Sequence, residues 1–218
     1  MSVKHPDEFI QPNRKTFGED PFGYSASAWH KFGLACTIEG YGIDISKPPT
    51  KEDLKNPVLW LTQAHAMAEA ARVLFQGAPN LETMPKPVRG MCDSQYCAVG
   101  LMLVGYSLEI NLKAMIILKR GVDAYIKEEK TYKHHALVEL AFFIPGLSDK
   151  DRAILQALTL FTRWAGRYPD PGSGRVSEAE EIFTLSESHQ IAARDVFELA
   201  ARVMRHTNEV HTQAGITP

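Results

Sequence analysis

The sequence predicts an all-α fold, a helical bundle of about five main helices preceded by an irregular, aromatic-rich arm. Three observations carry this. From Tyr96 to Arg120 the residues Cys97, Leu101, Val104, Leu108, Leu112, Met115 and Lys119 recur at helical spacing, and most positions between them are also apolar. Such a helix is buried on nearly all sides, which requires neighbours. Other segments open and close on helix caps. No run alternates strongly enough to claim a sheet.

Residues 1–50 differ from residues 51–218, and the reading divides the chain there. Pro12, Phe17, Pro21, Phe22, Tyr24, Trp29, Phe32, Tyr41, Pro48 and Pro49 crowd the first part without a sustained helical period. The stretch Ser25 to Phe32 holds at most one helical turn. The arm's aromatics are expected to pack on the bundle or on a second subunit, since bare aromatic patches are costly.

Asn56 followed by Pro57 is an N-cap and a first helical position, and Gly77 is a stop. Trp60, Ala64, Met67, Ala71 and Leu74 make the apolar stripe between them. Pro79, Pro85 and Pro87 forbid helix in the linker that follows. Asp93 or Ser94 then caps the central helix, and Gly121 ends it. Glu109 and Lys113 are four residues apart with the acid first, the favoured order for an ion pair on one face. Asp123 to Lys133 reads as a solvated loop or frayed helix end. A helix is expected over His135 to Phe143, stopped by Pro145. Ser148-Asp-Lys-Asp151 has the form of a capping box and opens a helix running to Gly166. Pro171 to Gly174 is a flexible loop, and the last helix runs from about Ser188 to His211.

The chain has 218 residues, 24 basic and 26 acidic, with 44% hydrophobic content. That suffices for one core, and the balanced charge speaks against a broad nucleic-acid-coating surface while allowing a local basic groove. Cys36, Cys92 and Cys97 have no metal or redox spacing and are expected to be free thiols in a reducing compartment. The polar start Met1 to Glu8 predicts no secretory signal and a cytoplasmic location. Glu109, Asn111 and Lys113 sit mid-helix, where a bilayer would penalise them, so no membrane is expected. No H-E-x-x-H, P-loop, G-x-G-x-x-G or G-x-S-x-G occurs, so no metal and no cofactor is called for.

Tyr106-Ser-Leu-Glu-Ile-Asn-Leu-Lys-Ala114 resembles the "sLE-x-x-LKA" helix of HEPN domains (higher eukaryote and prokaryote nucleotide-binding). His134-His-Ala-Leu-Val-Glu-Leu-Ala141 is similar to that family's "H-x-L-x-x-L" helix start. Ala165-Gly-Arg-Tyr-Pro169 is similar to an "A-R-Y-P" element found in some of its branches. The resemblance covers roughly residues 58–211. It implies a homodimer with its site at the dimer cleft, a nucleotide or RNA as ligand, and a place in a stress, defence or toxin–antitoxin system. The leading expectation is binding without robust catalysis; a metal-independent endoribonuclease and a non-catalytic module recruiting a protein partner through the aromatic arm are the alternatives.

Active branches of the family are metal-independent ribonucleases built on an arginine, four to six residues and a histidine, often with Asn, Asp or His directly after the arginine. A histidine moves protons near neutral pH, and an arginine offsets charge on the phosphorane. Arg205, His206 and His211 match that motif as candidate catalytic residues. Six residues of α-helix advance by about 600°, which leaves Arg205 and His211 about 120° apart, so they converge only through a bend or a second subunit. Arg167 and Tyr168 are candidate ligand-binding residues, the arginine as a fork for phosphate and the tyrosine as a stacking surface. Branches with this element often lack the catalytic histidine. Lys133, His134 and His135, a basic cluster at an expected helix start, are a further candidate anion site, with Lys133 and His134 as its ligand-binding residues. Arg167 capping its own helix, and a histidine serving as cap or core contact, are the structural alternatives.

Overall fold

The computed structural model describes residues 10–213; within them the side chains of Asn208 and of residues 211–213 are outside the description. Every regular element among the described residues is helical. The chain divides into two units, Met1–Leu59 and Trp60–Pro218.

The first unit is not the irregular arm expected. It forms three short helices: α1 (Arg14–Glu19), α2 (Pro21–Ala26) and α3 (Ala28–Ile38). Local capping explains them. The Asn13 side chain accepts from the amides of Lys15 and Thr16, and Asp20 accepts from Gly23, with Pro21 at the first helical position. The prolines and glycines that mask a helical period in the sequence therefore sit at helix starts and junctions. Gly33 is buried because a Cβ there would meet the Ile45 side chain at 2.1 Å. The segment after α3 thus folds back along that helix.

α4 (Pro57–Gln76) opens at the junction of the two units. Its cap is as read: the Asn56 side chain accepts from the Val58 amide at 2.9 Å, and the Gly77 amide closes on Val73. The central helix α5 (Arg89–Arg120) is longer than expected. It starts on the turn Lys86–Val88, with no side-chain cap from Asp93 or Ser94. Leu108, Leu112, Met115, Ile116 and Ile117 lie at its buried heart.

Asp123 to Lys133, expected as a solvated loop or frayed helix end, instead forms two short helices. α6 (Val122–Lys127) and α7 (Glu129–Tyr132) each bury one tyrosine, Tyr125 and Tyr132, which stack with centroids 5.3 Å apart. Two buried rings outweigh the surrounding charges. The helix expected over His135 to Phe143 shrinks to α8 (Leu137–Leu140), and His134 and His135 lie before it, outside any regular element.

α9 (Asp149–Leu160) carries the capping box, with Ser148 and Asp151 bonded reciprocally. It passes into a π-helical turn, Phe161–Ala165. The region read as loop gives way to α10 (Ser177–His189), which the sequence reading did not anticipate. α10 buries no residue fully, so it shows little apolar stripe; it packs on α9 and ties down through Glu178 to Arg163 and Glu181 to Gln156. The last helix, α11 (Ala193–Gln213), is separated from α10 by Gln190, which adopts a left-handed conformation at φ 48°. α5 is the hub: α8, α9, the π turn and α11 all contact it.

α5 is also, among the described residues, the helix long and apolar enough to cross a bilayer, but most of that span is buried against protein.

Candidate functional site

Two faces of α5 have different chemistry. Ala98, Met102, Tyr106, Glu109 and Lys113 follow one another at three- and four-residue steps on one face. Gly100, Val104, Ser107 and Asn111 do the same on another, about 200° away around the axis.

The first face meets the π turn and the His134–His135 segment. Gly166 lies so close that a Cβ would approach Met102 at 2.3 Å. One turn along, the Tyr106 hydroxyl donates to the Thr162 carbonyl at 3.2 Å. The Tyr106 ring stands edge-on to the His135 imidazole, centroids 5.9 Å apart.

Glu109 is only 5% exposed and has two partners. Lys113 Nζ donates to its Oε1 at 2.8 Å, and His135 Nδ1 lies 2.8 Å from its Oε2. Lys113 Nζ also donates to the His134 carbonyl at 3.1 Å. An ionised carboxylate only accepts, so Nδ1 of His135 carries the proton and donates. The imidazole is half-exposed, so part of its ring is open to solvent. A buried carboxylate orienting a histidine fixes both its tautomer and its direction. The cluster also clamps the segment before α8 onto the central helix.

His134 plays a different part. Its Nδ1 accepts from the Ala136 amide at 3.1 Å, and its Nε2 is 3.5 Å from the Glu139 carboxylate. It shapes the turn into α8 rather than capping an N-terminus that begins at His135. Lys133 beside it is exposed.

Arg167 and Tyr168 follow the π turn, directly after Gly166. The Arg167 guanidinium donates to the Arg163 carbonyl and lies 5.8 Å from the Tyr168 ring centre. Arg167 thus does act as a helix cap, but one bond uses few of its five donors. Tyr168 does not pack into the core; it is 59% exposed. Gly166, the residue before Arg167, thus packs at Met102, about 10 Å along α5 from Glu109.

The Arg205 motif lies elsewhere. α11 packs on the second face of α5, where Thr207 donates to the buried Asn111 side chain at 3.0 Å. Arg205 is exposed and lines a shallow depression with Arg194, Phe197 and Arg202. His206, mostly covered, pairs with Glu209 at 2.6 Å. The His211 side chain lies outside the described residues. Among the described residues no cluster of His, Cys, Asp or Glu side chains converges to hold a metal ion.

The sequence reading placed His135 in a basic cluster with Lys133 and His134 but did not connect it to Glu109, and it gave Tyr106 no site role. A signal was present: a buried Glu109 with a single lysine partner leaves lone pairs unmet, and a third partner was to be sought. The exposed aromatic on α11, Phe197, carried no signal, because it lies within an ordinary apolar stripe.

No family model, curated protein or solved structure matches the chain. The HEPN resemblance rests on Tyr106–Ala114, His134–Ala141 and Ala165–Pro169.

Proposed function

We propose that this protein is a HEPN-like up-and-down bundle that binds a nucleotide or single-stranded RNA as a homodimer, without robust catalysis, in a stress or defence setting. The observation that carries the reading is the pairing of an exposed Tyr168 ring with the largely unengaged fork of Arg167. An exposed aromatic suits a nucleobase, and an arginine beside it suits a phosphate. Further support comes from the exposed Lys133 and the half-exposed His135, in the segment that packs on the same face of α5 as Gly166.

The binding residues under this reading are Arg167, Tyr168, Lys133 and His135, with His134 supporting the turn. The ribonuclease reading keeps Arg205 and His211 as its pair. Incubation of end-labelled RNA with the full chain in EDTA separates the two. Intact RNA, with binding whose salt slope falls by roughly 0.7 to 1 in Arg167→Ala, is the expected outcome. Cleavage to 2′,3′-cyclic phosphate ends, lost in both Arg205→Ala and His211→Ala, would establish the nuclease instead.

A further inference from the structure

The second face of α5 floors a hollow that the proposed function leaves unused. α4 and α11 flank it with small side chains, Ala68 and Ala71 on one wall and Ala200 and Ala201 on the other. Val104 forms part of the floor. Ser107 is there too, but its hydroxyl is engaged with the Ala64 carbonyl at 2.9 Å. One end is closed by Phe75 and Phe197, which meet edge to face at 5.4 Å. Phe75 reaches this position because residue 100 is glycine; a Cβ there would meet its ring at 2.4 Å. The result is a cavity of about 400 Å³ lined mainly by carbon. That size lies in the range of small-molecule pockets, and it offers a ligand almost no hydrogen bonds.

Charge is supplied at the rim. Arg72 is already engaged with Glu69 and Gln76. On the α11 side, Phe197 and Ala201 line both this hollow and the neighbouring depression that holds Arg194, Arg202 and Arg205. Arg194 pairs with Glu198, and Arg202 with Asp151. Arg205 has no ion pair or hydrogen bond among the described residues. It follows Ala201 by four positions, so it stands on the same side of α11.

We propose that the hollow is a binding site for a small amphiphilic anion, a medium-chain carboxylate, whose apolar body lies between α4 and α11 and whose carboxylate reaches Arg205. The two ends of the site define the ligand: a mainly carbon surface whose Glu69, Arg72, Gln76 and Ser107 are already bonded within the protein, then one guanidinium with donors to give. The site is independent of the Arg167–Tyr168 surface on the other face of α5.

The test uses the full chain and anilinonaphthalene sulfonate, an aryl anion that fluoresces when it leaves water. The expected result is displacement by decanoate about tenfold more effectively than by decanol, the preference that a charge-assisted bond confers. Arg205→Ala, an exposed substitution, is expected to erase that preference while leaving the decanol displacement intact. The Met204 methyl resonance should shift on decanoate titration, and that of Met115, buried away from the hollow, should not; this readout needs no variant in the hollow itself. Equal displacement by decanoate and decanol would overturn the proposal in favour of a purely apolar docking face. So would a decanoate preference unchanged in Arg205→Ala, or a Met204 signal that does not move.

Discussion

Glu109 is the residue on which most of the local order depends. It lies in the middle of a buried helix and holds both Lys113 and His135, and Lys113 in turn holds the His134 backbone. Removing one partner of a buried pair leaves the other charged and unpaired. Glu109→Ala should therefore cost roughly 3 to 5 kcal/mol in chemical denaturation. The double change Glu109→Leu with Lys113→Met removes both charges, and it should cost clearly less than the single change. A double variant as unstable as Glu109→Ala would show that the pair contributes more than mutual neutralisation. Here the sequence is informative up to a point. Spacing identifies the Glu109–Lys113 pair, but His135 comes from 26 positions away, and no local rule connects it.

At the scale of elements, caps are legible in sequence and burial-driven helices are not. The Asn56–Pro57 start and the Ser148–Asp151 box behave as their residue types dictate. α6, α7 and α10 were missed because charged residues hide the few apolar ones that hold them. The last helix is expected from about Ser188, before the α10–α11 junction, because Gln190 is not a residue that announces a left-handed turn. That conformation is unfavourable for a side chain, and Gln190→Gly should stabilise the protein by about 1 kcal/mol, read from its melting curve. A fall in stability would mean that the Gln190 side chain contributes more than its backbone costs.

Asp151 links two elements, capping α9 and pairing with Arg202 on α11. Burial opposes its ionised form, yet the bonds from the Ser148 amide and hydroxyl and from Arg202 hold its carboxyl below the usual value. A lowered folded-state pKa gives stabilisation that is complete above the unfolded value and lost as pH falls through the folded one. Asp151→Asn should therefore flatten the acid side of the stability profile below about pH 4, besides costing about 1 kcal/mol at neutral pH through the weakened cap. An unchanged acid limb would remove Asp151 from this role.

For the whole molecule, the all-helical class is legible from one long apolar helix, and the division of labour around that helix is not. Periodicity says that α5 is buried on nearly every side. It does not say that one side receives His135 and the π turn and the opposite side an open apolar hollow; that depends on which partner segments bring bulk and which bring alanine. The central claim concerns the first side. It is tested most directly by the affinity of a fluorescently labelled single-stranded RNA for the wild type and for Tyr168→Ala, by anisotropy in EDTA at one fixed salt concentration. Loss of one stacked base predicts a weakening of roughly 5- to 150-fold with the melting temperature unchanged. Equal affinities, or no binding by the wild type, would contradict the account.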